Sequence, residues 1–262
     1  MPTPGLIMSP WIFAVENTKK ALIQNNNYMK AIKINYSKTN EDLTGKSKMW
    51  GQADLPESMD YPLIPYDDGE DDPMTMVCQI RCSDLAKIDP ENLLPHEGML
   101  YFFADIDEYV HALYKELDED EEFEDEEDFT DEEDDETEVD YRSNGMGEWD
   151  PEAFRVLYSP TEVGLQTHSI IGPDGEPYGL PAEKITFETG GSSDELVTKL
   201  LGKPYDPEVQ YWYPDYINLF QLCEEDDWGL MMYDCGILNF LITPEDLKAR
   251  RWDRIIVHLH SL

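Results

Sequence analysis

The sequence predicts an α+β protein with β-sheets from two similar repeated units, short flanking helices and a disordered acidic insertion. Three observations predict this class. Short apolar runs of strand length recur along the 262 residues. Capping residues precede a few short helical patterns. Residues 116–140 hold 19 acidic residues and no basic one, so this tract cannot bury enough apolar surface to offset its ordering entropy.

The individual elements follow from local patterns. Residues 31–36 alternate in period two, which predicts a half-buried strand. Thr243, followed by a proline and two acids, predicts a helix start, because Thr caps and Pro suits the first turn. Related capping patterns predict helices beginning at Ser9, Asp105 and Ser192. The other predicted strands are residues 75–80, 99–103, 154–158, 184–188, 217–222, 230–233, 237–242 and 254–259.

The acidic tract divides the chain into the predicted regions of one compact domain. We expect an N-terminal β-rich half at residues 1–115 and a C-terminal β-rich half at residues 151–262. The disordered acidic insertion between them covers residues 116–150. A chain of this length can bury a sizeable core.

Two segments of the chain echo each other. Gln79 lies within an apolar strand, and Gly98 later opens a hydrophobic strand; Gln221 and Gly236 repeat this arrangement. The echo indicates an internal repeat with Gln79 and Gln221 at equivalent positions. A buried amide needs hydrogen-bond partners. Each amide therefore either ties its strand to a neighbouring loop, or both line a central cleft, for which Asp234 is a further ligand candidate.

The densest aromatic region lies between residues 211 and 233. Trp212, Tyr213 and Trp228 are the partner-binding candidates in it, since Tyr and Trp are favoured where one end of the ring stays wet. The alternative is that these rings belong to the core. One or two exposed rings would mark an interface.

The charge balance narrows the classes of partner. The formal net charge is −39, from 58 acidic and 19 basic residues. Outside the tract 39 acids face 19 bases, a balance of −20. Phosphate backbones need clustered Lys and Arg, so we expect no nucleic-acid binding. A basic protein partner fits this charge.

Localisation is predicted from hydropathy and cysteine usage. No run approaches the ~18 apolar residues of a membrane span, and the first ten residues lack the pattern of a secretory signal. The four cysteines do not form a disulfide framework typical of a small secreted domain. We therefore expect a cytoplasmic protein with free thiols and no membrane association. Nothing in the sequence indicates an oligomeric state.

Motifs for catalysis and cofactors are absent from the sequence. It contains no Gly-x-Ser-x-Gly, Walker lysine loop, dinucleotide fingerprint or His-Glu-x-x-His helix. His258 and His260 share one face of the last predicted strand, but a single i, i+2 pair is a weak metal signal, and a packed or solvated histidine face is favoured. We predict no cofactor, no metal and no catalytic residue.

Several motifs together resemble a known family. Residues 47–51 (Ser-Lys-Met-Trp-Gly), residues 98–103 and residues 199–204 (Lys-Leu-Leu-Gly-Lys-Pro) are similar, in order, to the YwqG-like bacterial family of unknown function. Residues 231–236 continue the pattern, and the resemblance covers the chain from about Ile32 to Ile256. The acidic tract is an addition, and a paired glycine expected near Trp50 is missing. The resemblance implies an α+β fold built from a repeated unit and brings no activity.

The sequence favours a binding protein over an enzyme. We expect a cytoplasmic binding or regulatory protein whose acidic surface engages a basic protein, for example by neutralising it. The alternative is an enzyme or small-ligand-binding protein that uses a cleft between the two halves.

Overall fold

The computed structural model describes residues 30–65, 71–106, 145–171, 175, 177, 179–191, 195–230, 232–233 and 235–262. The acidic tract, the helix predicted from Ser9, almost all of the helix predicted from Asp105, and Asp234 lie outside these residues. Nothing follows here about their structure.

Most of the regular secondary structure in the described residues is β-strand. The strands are β1 (Ala31–Ser37), β2 (Lys48–Met49), β3 (Asp54–Pro56), β4 (Leu63–Pro65), β5 (Asp71–Pro73), β6 (Thr75–Arg81), β7 (Met99–Ala104), β8 (Gly147–Glu148), β9 (Phe154–Ser159), β10 (Leu165–Thr167), β11 (Glu183–Gly191), β12 (Lys199–Leu200), β13 (Ile217–Cys223), β14 (Gly236–Ile242) and β15 (Ile256–Ser261). Eleven of them form one antiparallel sheet, in the order β8-β15-β14-β13-β12-β1-β11-β2-β6-β7-β9. The ribbons β3–β10 and β4–β5 are separate pairs.

The predicted α+β class is wrong, because the described part of the chain is mostly β. Its only α-helices are α1 (Pro207–Trp212) and α2 (Pro244–Lys248). The helix predicted from Ser192 does not form over residues 195–201, where β12 pairs with β1 and β13 instead. Hydrogen bonding to two neighbouring strands there outweighs a local capping signal.

Most of the other predicted elements are confirmed. The helix predicted at Thr243 is α2, and the Thr243 hydroxyl accepts a hydrogen bond from the backbone N–H of Asp246. Eight of the predicted strands correspond to β1, β6, β7, β9, β11, β13, β14 and β15. The strand predicted at residues 230–233 is wrong, since its described residues form no strand.

The sheet consists of two strand series that exchange their first strands. The first unit is β1, β2, β6, β7 and β9, and the second unit is β11 to β15. Their first strands, β1 and β11, pair with each other in the middle of the sheet. Each of them also pairs with the second strand of the other unit, β1 with β12 and β11 with β2. Neither unit therefore completes its strand order without the other.

The predicted equivalence of Gln79 and Gln221 is confirmed by register and hydrogen bonding. Gln79 lies opposite Lys48, and Gln221 lies opposite Lys199. In each unit the residue two positions after this lysine has a positive φ, 55° at Trp50 and 59° at Leu201. A glycine with a positive φ follows in both cases. This paired left-handed turn is uncommon outside glycine, so its recurrence identifies the same backbone device in both units.

The acidic tract lies within the first unit in sequence. It lies in the connection between β7 and β9, which also contains β8, and β7 and β9 pair with each other over six residues. In the second unit the corresponding connection, between β14 and β15, contains α2. The first strand after the tract, β8, pairs with β15 at one edge of the sheet, and β9 then pairs with β7 at the other edge.

The sheet curls so that one face closes on itself. Phe102 in β7 and Phe240 in β14 are separated by six strands in the sheet order, yet their ring centroids are 5.4 Å apart. The ring of Phe220 in β13 joins this contact, with its centroid 4.7 Å from that of Phe102. This inner face holds the larger hydrophobic core. None of the described helices is long and apolar enough to cross a membrane.

Candidate functional site

A row of polar side chains crosses the outer face of the second unit. Its members, here called the polar row, face each other across five neighbouring strands: Lys199, Gln221, Asn239, His258 and Glu148. Side chains directly opposite one another in an antiparallel sheet lie on the same face. The first four are almost fully buried and Glu148 is exposed. Such a run of buried polar groups is unusual in a sheet.

The corresponding positions of the first unit have a different character. Opposite Gln79 lies Tyr101, and opposite Tyr101 lies Leu157. These two side chains belong to, or pack against, a second hydrophobic cluster that covers the outer face of β6, β7 and β9. Apolar residues of the β3 and β4 ribbons, such as Leu55 and Ile64, complete this cluster. The outer face of the first unit is therefore a second core.

Both glutamines act as ties between strands and loops. The Gln79 amide donates to the carbonyl oxygen of Lys46 and accepts from the backbone N–H of Asp54. The Gln221 amide donates to the Val197 carbonyl and accepts from the Tyr205 N–H in the same way. This confirms the first of the two roles predicted for them. Four strands separate β6 from β13 in the sheet order, and both amides lie on the outer face, opposite to the inner face on which the sheet closes.

The loop residue that each glutamine holds differs between the units. In the first unit Asp54 is fully buried and accepts a hydrogen bond from the Lys48 ammonium at 2.8 Å. Burial raises the pKa of Asp54, but hydrogen bonds from Lys48, Thr167 and Gln79 outweigh it and hold that pKa below the usual value. In the second unit Tyr205 takes the place of this aspartate, so this position supplies no carboxylate to Lys199.

The short helix α1 lies beside the polar row. Asp206 caps it, accepting hydrogen bonds from the N–H groups of Glu208 and Val209 through one oxygen. The other Asp206 oxygen lies 3.3 Å from Nε2 of His260. The Trp212 ring lies over the histidines, with centroid distances of 5.4 Å to His258 and 5.9 Å to His260. Trp212 thus covers one end of the row.

Hydrogen bonding determines the protonation of His258. The Tyr213 hydroxyl donates to Glu148 Oε2 at 2.9 Å, so it can only accept from Nδ1 of His258, which lies 3.2 Å away. The proton of a neutral His258 ring is then on Nδ1, and Nε2 carries a lone pair. Burial lowers the pKa of His258, the neighbouring His260 lowers it further, and Glu148 and Asp206 oppose the shift. His258 is therefore neutral at pH 7.

Three buried acceptors in this region have no hydrogen-bond partner among the described residues. They are the amide oxygens of Asn218 and Asn239 and Nε2 of His258. The amide orientations are determined, because Asn239 Nδ2 donates to two backbone carbonyls and Asn218 Nδ2 donates to Gln221 Oε1. A buried acceptor without a donor costs about 1–3 kcal/mol. Three indole N–H groups in the described residues are also unpaired, at Trp50, Trp228 and Trp252. The three unpaired acceptors lie on the consecutive strands β13, β14 and β15.

The remaining predicted site residues separate into core and surface. Trp228 belongs to the core, packed 5.2 Å from Trp50. Tyr213 is half-buried and bonded to the polar row. Trp212 is 49% exposed, and its neighbour Tyr211, which the sequence reasoning did not single out, is 82% exposed. We call Tyr211 and Trp212 the aromatic patch.

The segments that contain β8 and α1 are acidic. Residues 145–152 and 203–216 hold six acids and one base. The acids are Glu148, Asp150, Glu152, Asp206, Glu208 and Asp215, and the base is Lys203. Asp206 and Glu208 lie at the start of α1, and Glu148 is bonded to Tyr213 at its end, so three of these carboxylates lie at the helix that carries the patch.

Metal ligation and thiol chemistry find no support at this site. The rings of His258 and His260 are 6.4 Å apart, and within the described ranges no three His, Cys, Asp or Glu side chains could hold a metal ion. All four cysteines are free; Cys78, Cys82 and Cys223 are buried and Cys235 is exposed.

Sequence reasoning missed Asn239, Asn218 and Glu148. The signal for Asn239 was present, since it is a polar residue in an apolar strand, the same argument that selected Gln79 and Gln221. Glu148 could not be selected, because one carboxylate among 58 acids carries no information until the sheet places it beside His258.

A family model for a domain of unknown function, DUF1963, matches residues 47–260. The chain belongs to this family. No curated protein matches the chain. The DUF1963 match covers both units from β2 onwards and includes the polar row and the aromatic patch.

Proposed function

We propose that this DUF1963 protein is a cytoplasmic binding protein that docks a basic protein partner on its aromatic patch. The observation that carries the proposal is the exposure of Tyr211 and Trp212 on a six-residue helix with carboxylates at both of its ends. Tyr and Trp are the residue types that dominate interface hot spots. The free thiols support a reducing compartment. The motifs quoted above further suggest a YwqG-like member of the family.

Fast association and slow dissociation of the basic partner would have separate physical causes. The balance of −20 outside the tract raises the association rate of a basic protein. Charge alone gives little lasting affinity in physiological salt, where the field decays over ~8 Å. A desolvated ring is needed to slow dissociation, and Trp212 is the one exposed tryptophan among the described residues.

The alternative function, an enzyme or small-ligand-binding protein with a cleft between the halves, receives less support. Gln79 and Gln221 lie on strands that four others separate in the sheet order, and each uses its amide to hold a loop. No shared cleft then remains for these two residues to line.

The test is capture from a native lysate on four immobilised full-length proteins: wild type, Tyr211→Ala, Trp212→Ala and the control Val163→Ala. Val163 is 80% exposed and lies outside the patch. A basic protein should be retained equally by wild type and Val163→Ala, and at least tenfold less by Trp212→Ala, since truncating an interface hot spot costs about 2 kcal/mol or more.

Kinetics with the purified partner complete the test. Raising the salt from about 0.05 M to about 0.3 M should slow association severalfold and change dissociation less. Trp212→Ala should mainly speed dissociation. Equal capture by wild type and Trp212→Ala, or association that is indifferent to salt, would contradict the proposal.

A further inference from the structure

The unpaired acceptors of the polar row, and that of Asn218 beside Gln221, all require the same complement. Asn218 Oδ1, Asn239 Oδ1 and the lone pair on His258 Nε2 are acceptors, and they lie on three consecutive strands. Beside them Glu148 is an exposed carboxylate with one oxygen bonded to Tyr213. A group that satisfies such a site must be rich in N–H donors and positively charged.

We propose that the polar row receives the guanidinium group of an arginine side chain carried by the basic partner, with Trp212 as its stacking surface. The inference rests on the proposed function and names the chemistry of that same site. Guanidinium is planar, presents five N–H donors in a fixed fork and stacks on aromatic rings. A lysine ammonium has three donors and no planar face, so it meets these acceptors less well.

The electrostatics of the row are compatible with a cation at its Glu148 end. His258 is neutral, and the acids Glu148 and Asp206 flank it. The cation in the row, Lys199, lies at the opposite end, three strand spacings or about 14 Å from His258. Its Nζ donates to the carbonyl oxygen of Glu195, so its charge is already engaged in the protein.

Access to the row requires movement of Trp212. The ring covers both histidines, and the three unpaired acceptors are buried beneath the surface. Trp212 is the last residue of a helix of six residues, and about half of its surface is already exposed. Rotation of the Trp212 side chain would remove one of the two rings that pack on His258, while the Tyr213 ring, 5.3 Å away, stays bonded to Glu148. Binding should therefore change the environment of Trp212 and the His258 imidazole together.

The experiment uses the full chain and three tripeptides, acetyl-Gly-X-Gly-amide with X as arginine, lysine or citrulline. Citrulline keeps the shape of arginine and lacks its charge. Calorimetric titration should give an affinity for the arginine peptide at least about tenfold above citrulline and several-fold above lysine. The imidazole nitrogen resonances of His258 should shift with arginine only. Equal binding of the arginine and citrulline peptides would overturn the site.

Two charge-matched variants separate local contact from the general field. Glu148→Gln should weaken the arginine peptide about tenfold, because it removes a charge-assisted hydrogen bond. The control Glu188→Gln removes the same charge from an exposed position on β11, which five other strands separate from β8 in the sheet order. This control should change the affinity less than twofold. Equal losses in both variants would show only diffuse attraction and overturn the site. Asn239→Ala should also weaken binding, and its folding is checked by melting.

The arginine site and the proposed function can fail separately. If Trp212→Ala abolishes partner capture while Glu148→Gln and Asn239→Ala retain it fully, the aromatic patch stands and the arginine site is wrong. If Trp212→Ala leaves capture unchanged, the proposed function fails, and the partner's arginine fails with it. Loss of capture in Trp212→Ala and Glu148→Gln, but not in Glu188→Gln, supports both.

Discussion

The two units use one backbone plan and differ in what covers their outer faces. Lys48 and Gln79 in the first unit correspond in register to Lys199 and Gln221 in the second. Beyond them the first unit continues with Tyr101 and Leu157 into a covered apolar cluster. The second continues with polar side chains beneath a half-exposed tryptophan.

The two outer faces therefore contribute differently to stability and to the proposed binding. Burying apolar surface stabilises the first unit, with a gain of about 25 cal/mol per Å². Burying unpaired acceptors destabilises the second unit. These unpaired acceptors are the groups to which the arginine site proposed above assigns a ligand.

The largest effect is expected from breaking the buried ion pair of the first unit. Asp54→Ala leaves Lys48, which is 4% exposed, without its carboxylate. Removing one partner of a buried pair costs about 3–5 kcal/mol. Urea denaturation should show this loss of unfolding free energy. The control Glu41→Ala, which breaks the exposed pair with Lys184, should lower the unfolding free energy far less, because solvent screens an exposed pair. Similar small losses for both variants would mean that Asp54 is not essential to the first unit.

A smaller loss is expected when the first unit is given the polar side chain of the second. Leu157 packs against the outer cluster at the position that corresponds to His258. Leu157→His removes part of that apolar burial and should lower the unfolding free energy by about 1–2 kcal/mol. Leu157→Met conserves volume and should cost less than about 1 kcal/mol. An unchanged unfolding free energy in Leu157→His would show that the cluster does not exclude water from this face.

The smallest effect is expected from the reciprocal change, His258→Leu, and it has the opposite sign. Replacing a buried group that carries an unpaired acceptor should leave stability unchanged or raise it by about 1 kcal/mol. The Tyr213 hydroxyl keeps Glu148 as its acceptor. A loss of more than about 2 kcal/mol would show that His258 is structural.

The pH dependence of the same variant gives a second readout. The pKa of His258 is lowered in the folded protein, so the unfolded chain binds this proton first as the pH falls. Stability due to neutral His258 is therefore present above about pH 6.5, the usual histidine value, and is lost below it. Unfolding free energy should fall less steeply from pH 7 to pH 5 in His258→Leu than in wild type. Equal slopes would contradict burial of a neutral imidazole.

Much of the fold was predictable because it depends on local sequence patterns. Period-two alternation identified β1, short runs of strand length identified seven further strands, and the Thr243 cap identified α2. The helix predicted from Ser192 failed because β12 is decided by its two neighbours. The helix α1 was missed although Asp206, Pro207 and Glu208 carry a cap, an N1 proline and an acid, because the surrounding aromatic residues were interpreted as a region of core or recognition surface.

The candidate site was predictable only in part. The aromatic region and the glutamine echo pointed to the second unit and to its equivalence with the first. Which ring is exposed depended on packing: Trp228 lies against Trp50 in the core, whereas Trp212 ends a short helix at the surface. Sequence composition is the same for a buried and an exposed tryptophan.

The sequence by itself determined the acidic charge, the alternation of the strands and the repeated Gln and Gly spacing, because each is a property of neighbouring residues. The tertiary structure alone decided that β1 and β11 exchange between units, that Glu148 lies opposite His258, and that one outer face is covered by apolar residues while the other remains polar. The first two features depend on contacts between residues more than a hundred positions apart, and the third depends on how the β3 and β4 ribbons pack on the sheet. Periodicity predicts which side chains share a face of a strand. Strand pairing and the packing of other segments determine which residues that face contacts.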